Sequence, residues 1–167
     1  MPMRHSLKVI AFASLIALAA CNPFPTTGTV SGGGETVDLS EVRTAVEGYA
    51  AKFNARDAAG ASAIYANDPA FHWIEGGRLG YATRDAAVKG LTDFLAGFPE
   101  SRLEFHNIRV DAIADSTAVA TVDFRQTVAA NGQTALAFEG VMTLTMVKRE
   151  GEWKVIVGHS STGQLPR

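Results

Sequence analysis

Apolar residues recur along this chain with two different periods, and the change of period marks its organisation. Leu39, Val42, Val46, Tyr49 and Phe53 are spaced by three and four, which lays one apolar stripe along a helix of about four turns. Asp38 followed by Glu41 is a capping-box-like start for that helix. Residues 54–57 end it, and Asp57 can cap a second, short helix running to Tyr65, with Ile64 and Tyr65 as its apolar surface. Asn67, Asp68 and Pro69 stop the second helix, because the residue before a proline is driven out of the helical region. Residues 70–75 are aromatic and β-prone, Gly76 and Gly77 signal a turn, and Arg78 to Tyr81 return as a short strand. Thr83 with Asp85 opens a third helix whose stripe is Val88, Leu91, Leu95 and Phe98, and Pro99 closes it.

Beyond Pro99 the period falls to two. In residues 102–114 the alternation slips near His106 and Asn107: Leu103 and Phe105 share one parity, Ile108 and Val110 the other. A one-residue slip is what a β-bulge produces. Residues 116–128 set Ala118, Ala120, Val122 and Phe124 against Thr121, Asp123 and Arg125. Asn131 and Gly132 mark a hairpin turn. Leu136, Phe138, Met142, Leu144 and Met146 then oppose Glu139, Thr143 and Thr145. Lys148 to Gly151 form the last hairpin, leading into a closing strand. Unbroken alternation there places Trp153, Val155, Val157, His159 and Ser161 on one face. Three helices interrupted by a short hairpin and followed by a four-stranded antiparallel meander make an α+β domain, with the helices covering one face of a curved sheet.

Composition narrows the partners. The chain has 167 residues, 47% hydrophobic and 19% charged, with a formal net charge of −2. That is enough for one domain with a proper core. Without a Lys/Arg cluster it lacks the electrostatic footprint of a nucleic-acid binder. No paired His or Cys spacing suggests a metal, no glycine-rich loop follows a strand, and no Gly-x-Ser-x-Gly elbow occurs, so no cofactor is expected.

The N-terminal segment carries a separate signal. Arg4 and Lys8 precede a twelve-residue run, Val9 to Ala20, too short to span a bilayer and suited to the hydrophobic region of a secretory signal. Leu18, Ala19, Ala20 and Cys21 resemble the bacterial lipobox. The resemblance implies cleavage before Cys21 and lipidation of its thiol, for which palmitate is a fitting acyl chain. The mature N-terminus would thus be held on a membrane of the cell envelope. Asn22 after the cysteine is similar to the pattern of proteins sorted to the outer membrane, facing the periplasm. Loss of residues 1–20 leaves 13 basic against 17 acidic residues, a net charge of −4. Residues 21–37, with two prolines, four glycines and no apolar period, read as the lipidated cysteine and a tether. Residues 38–167 are the folded domain.

Three stretches of that domain resemble the SnoaL-like branch of the nuclear transport factor two superfamily. They are Asp57 with Ile64 to Phe71; Gly80 to Val88; and Gly151 to Ser161, with its early tryptophan and late histidine and serine. The resemblance implies a cystatin-like α+β cone, a curved antiparallel sheet with three N-terminal helices packed on its concave face and a pocket at the wide end. It also implies pairing of two copies through the outer sheet face, and a cofactor-free range of functions from binding to isomerase- or dehydratase-like catalysis.

Tyr49, Tyr65, Trp73, Tyr81, Phe124, Met142, Trp153 and His159 are the residues expected to line such a pocket. His159 and His72 are the candidate general bases, and Glu75 and Gln126 are further polar candidates. The reading of His159 that its residue type favours is a structural histidine satisfied by a neighbouring side chain or backbone group. His106 at the slip suits the surface. His72 and Glu75 have opposite parity, so one of the pair faces inward and parity alone leaves open which. Asp123, Arg125 and Glu139 suit cross-strand pairing on the outer face. The leading expectation is a lipid-anchored domain that binds a small, mostly apolar molecule or a peptide without turnover. The alternative is an isomerase- or dehydratase-like enzyme with a histidine base and a tyrosine stabilising the oxyanion. Replacing the lipidated thiol, Cys21→Ser, is expected to shift the protein from the membrane fraction to the soluble fraction on cell fractionation.

Overall fold

The computed structural model describes residues 38–163. Cys21, the signal-like run and the tether lie outside them. Three helices come first: α1 (Leu39–Asn54), α2 (Ala58–Ser62) and, after strands β1 (His72–Glu75) and β2 (Arg78–Tyr81), α3 (Arg84–Gly97). Strands β3 (Arg102–Ala114), β4 (Thr117–Ala130), β5 (Gln133–Arg149) and β6 (Glu152–Gly163) complete the domain. The six strands form one sheet in the order β2-β1-β6-β5-β4-β3. All neighbours are antiparallel except β1 and β6, which run parallel, so the sheet is mixed rather than wholly antiparallel. The long crossover through α3 and the meander makes that parallel pairing sterically available.

Each helix starts on the polar residue expected of it. Asp38 accepts the Ser40 N–H at 2.8 Å, Asp57 the Gly60 N–H at 2.8 Å and Thr83 the Ala86 N–H at 3.3 Å. These side chains satisfy amide donors that have no partner within the helix. The second helix is shorter than its pattern suggested. It stops at Ser62, because Ile64 and Ala66, on either side of Tyr65, instead take up backbone bonds with β6: Val155 N–H donates to Ile64 O at 2.7 Å, and Ala66 N–H to Val155 O at 2.8 Å. Both long hairpins turn through a pair of residues with positive φ, Asn131 with Gly132 and Glu150 with Gly151, the combination that matches strand twist.

The concave face of the sheet meets the helices. Val42, Val46, Ala50 and Phe53 of α1 and Ala87, Leu91 and Leu95 of α3 pack on Ala118, Ala120, Val122 and Phe124 of β4, and on Met142, Leu144 and Met146 of β5. Side-chain bonds fix the placement. The Asn54 amide donates to Leu103 O at 2.7 Å and accepts the Leu103 N–H at 2.9 Å, tying the end of α1 to the start of β3. Arg56, in a left-handed conformation just past the helix, donates to Ser101 O, and the buried Ser101 hydroxyl accepts the Ala129 N–H at 3.1 Å.

Two of the five register irregularities in the sheet bear on the site. The one between His106 and Arg109 stands where the alternation slipped, with Asn107 at φ 48° and its amide donating to Asp123 at 2.8 Å. The other was not legible in the pattern. Val155 pairs with Met146 and Val157 with Thr145, which leaves Ile156 as an extra residue on β6. Past it the parity reverses, so that Gly158 and Ser160 are buried and His159 turns toward the other face. The continuous face from Trp153 to Ser161 therefore breaks after Val155. Gly158 then has a second task, because a Cβ built there would lie 2.0 Å from the Trp73 ring. Gly158→Ala is expected to displace the Trp73 indole and cost about 1–3 kcal/mol by overpacking, seen as a lower urea midpoint and a changed near-ultraviolet circular dichroism spectrum.

Candidate functional site

Between α1, α3, the β1–β2 hairpin and the concave faces of β3 to β6 lies a cavity of about 220 Å³. Tyr49, Tyr65, Trp73, Tyr81, Phe124 and Met142 all line it, and so do Glu75, Gln126 and Ser160. Phe53, Phe94 and Phe138 add further rings. Glu75 thus takes the cavity side of the His72/Glu75 alternative, continuing the parity of Phe71 and Trp73, and stands exposed to solvent at the cavity mouth.

The two histidines proposed as bases and Trp153 do not reach this cavity. His159 is carried outward by the Ile156 bulge, and its Nε2 lies 3.3 Å from the Ser161 hydroxyl. His72 pairs with Val157 in the sheet, and its Nδ1 lies 2.9 Å from Ala70 O. Trp153 is buried on the far side of α1 and donates to Glu41 at 3.2 Å, with Lys148 also bonding that carboxylate at 2.7 Å. It borders a separate groove between α1, α2 and the β5–β6 hairpin. His106 is exposed on the outer face, as expected, opposite Asp123.

Inside the cavity the aromatic residues hold one another. The Tyr65 ring meets Trp73 edge-on at 5.9 Å and Tyr49 at 6.1 Å, and Tyr49 stacks on Phe105 at 6.2 Å. Such pairs prefer tilted or offset contacts because a ring's face is negative and its edge positive. The Tyr49 and Tyr65 hydroxyls lie 3.2 Å apart, one donating to the other. Whichever hydroxyl accepts keeps its own proton to donate elsewhere, so the pair presents one unused donor. Tyr81 rests against Gly90 of α3, where a Cβ would fall 2.4 Å from its hydroxyl, so only glycine lets that ring close the side of the cavity.

Burial sets the charge state. Desolvation pushes the Tyr65 hydroxyl well above its ordinary pKa, and it raises those of Tyr49 and Tyr81 as well. Nearby Glu75 adds to each shift, because a second negative charge beside a carboxylate is disfavoured. All three tyrosines are therefore neutral donors at pH 7. Such an arrangement can bind an apolar body, donate hydrogen bonds to it and offer it one carboxylate.

A family model described as a SnoaL-like domain matches residues 42–164. The chain belongs to the SnoaL-like domain family. No curated protein matches it. Among solved structures, this SnoaL-like domain is similar to a protein with a cystatin-like fold from Caulobacter vibrioides. The two share 25% identity over 75% of this chain and 89% of that one, with a TM-score of 0.63. A candidate scytalone dehydratase from Novosphingobium aromaticivorans is 18% identical over 75% and 84% of the two chains, TM-score 0.65. A nuclear transport factor two-like superfamily protein from Salmonella enterica is 17% identical over 75% and 91%, TM-score 0.64. The α+β cone is thus shared with proteins of differing description.

The raised tyrosine pKa values carry a sign. Below pH 10 the tyrosines are protonated in both folded and unfolded chains, so their contribution is fully present. Above it the unfolded chain loses protons that the folded chain keeps, and stability falls. Alkaline unfolding is expected to begin above about pH 10. In an absorbance titration at tyrosinate wavelengths, Tyr65→Phe is expected to remove the last tyrosine to ionise.

Proposed function

We propose that the cone binds a small, mostly apolar molecule and releases it unchanged, in a domain held on the bacterial cell envelope by lipid on Cys21. The observation that carries this reading is the cavity itself: a space of about 220 Å³ walled by aromatic rings, with Glu75, Gln126, Ser160 and the tyrosine hydroxyls as its polar points. Ligand sites generally combine an apolar wall with a few placed polar groups. The volume is below the roughly 300 Å³ at which drug-sized pockets begin, so it suits a single small ring system better than a peptide. The lipobox-like run supports the anchor, and Asn22 supports the outer membrane facing the periplasm. The outer face of β4, with Val119 and Thr121 beside Thr143 and Thr145 of β5, forms an uncharged strip between the ion pairs Arg109–Asp111 and Arg125–Glu139, and this strip supports pairing with a second copy.

One observation favours catalysis as a second reading. Glu75 shares the cavity with the tyrosine pair, and none of the ion pairs among the described residues uses it. A carboxylate base opposite a neutral hydroxyl donor can move a proton on a bound carbonyl compound while the donor holds the developing oxyanion. Glu75 then fills the role assigned to His159 or His72, neither of which lines the cavity.

The two tryptophans make binding measurable, because Trp73 lines the cavity and Trp153 does not. In a Trp153→Phe background, 2-naphthol is expected to quench Trp73 saturably. Ala87→Phe, which projects a ring from α3 into the space, is expected to weaken binding at least about tenfold, or 1.4 kcal/mol, with cooperative melting retained. Equal quenching in both proteins places the ligand elsewhere and refutes the cavity as the site.

A further inference from the structure

The charge inventory of the cavity is one-sided. Among the described residues that line it, Glu75 is the sole charged side chain, and there is no Lys, Arg or His. An anionic ligand would enter with nothing to offset its charge and would meet this carboxylate at the solvent-exposed mouth, a repulsion that water weakens without reversing. Aromatic rings act in the same direction, since their faces are negative and attract cations.

The geometry concentrates both attractions at one place. Trp73 and Glu75 lie on the same face of β1, and Tyr81 is the cross-strand partner of Trp73. Tyr65 meets Trp73 edge-on from the floor. Three rings and a carboxylate therefore converge at the hairpin end of the cavity, while Phe94, Phe124 and Met142 form an uncharged wall. Arg78 stands opposite Glu75 across the hairpin, yet no ion pair joins them, and Arg78 does not line the cavity. The carboxylate is thus available to a ligand.

We propose that the cavity is selective for small organic cations, a protonated amine or quaternary ammonium on an apolar body, with the charge held by Glu75, Trp73 and Tyr81. This names the ligand class for the binding reading above and rests on it. A carboxylate at the mouth beside rings of Trp and Tyr recognises a diffuse, weakly hydrated cation best. Such a head loses little hydration on entry and gains both the Coulomb and the ring attraction. Strongly hydrated inorganic ions gain less, because the site offers one carboxylate where a metal needs several oxygen ligands.

Phenyltrimethylammonium and tert-butylbenzene have nearly the same shape and differ in charge, so they separate cation recognition from apolar fit. Titration of tryptophan fluorescence, in the wild-type protein and in Glu75→Gln, tests the proposal. The cation is expected to bind the wild type at least about tenfold more tightly than its neutral twin. Glu75→Gln is expected to remove most of that preference by weakening the cation at least about fivefold. Equal or tighter binding of tert-butylbenzene to the wild type, or a cation affinity unchanged by Glu75→Gln, overturns cation selectivity and leaves the apolar pocket standing. Saturable binding of neither probe overturns both.

Discussion

Trp73 lying across Gly158 is the contact on which the rest of the site depends. The ring occupies the space where any other residue would carry a Cβ, only 2.0 Å from its atoms. Gly158 faces inward only because Ile156 is bulged, and the same reversal turns Ser160 into the cavity and His159 out of it. With the indole seated there, β1 docks parallel to β6, and its alternation brings Glu75 to the cavity wall. A single extra residue in one strand thus decides which acid, hydroxyl and ring the ligand space contains.

Side-chain bonds to the backbone and contacts between rings together build the cavity wall. Asn54 and Arg56 tie the end of α1 to Leu103 and Ser101, and Ser101 in turn holds Ala129, so the cavity wall at Phe53, Leu103 and Val128 is joined by bonds between chain segments far apart in sequence. Each such bond is worth about 1 kcal/mol net, but a buried partner left unsatisfied costs more, which makes the arrangement all-or-none. Toward the wide end the contacts are between rings. These leave a space because aromatic side chains held edge to face cannot collapse into one another without losing their preferred geometry. Leu136, though on the inward parity of β5, is 54% exposed near the hairpin tip, where the sheet extends past its helical cover.

A cavity with neutral tyrosines and a single carboxylate joins binding and chemistry in one place. Burial holds Tyr49 and Tyr65 in their protonated form, and Glu75 strengthens that tendency, so donors and acceptor coexist at neutral pH. The same few groups can orient a ligand, neutralise a cation or shuttle a proton. Which of these a SnoaL-like cone performs is set by a handful of side chains around a shared frame.

Much of the frame was legible in the sequence. Local signals act through nearest neighbours along the chain: Asp38, Asp57 and Thr83 cap helices, Asn131 with Gly132 makes a turn, and the slip at His106 and Asn107 is a visible bulge. The alternation of β4 and β5 gave their inward faces, and the aromatic candidates Tyr49, Tyr65, Trp73, Tyr81, Phe124 and Met142 converge on one cavity. The misplacements have a common physical cause. His159 was put inward by counting twos through Ile156, and that residue shows no break in the pattern because Val157 and Val155 are both apolar. Trp153 shares the concave parity but lies at the covered, narrow end, a distinction that alternation does not contain. The choice between His72 and Glu75 depended on the register of β1 against β6, which sets the concave face of β1 through a pairing across more than eighty residues. The chain's own periods determined the elements and most of their faces. Only the tertiary pairing decided the bulge in β6 and the strand beside it, because register is a property of two strands and neither carries it alone.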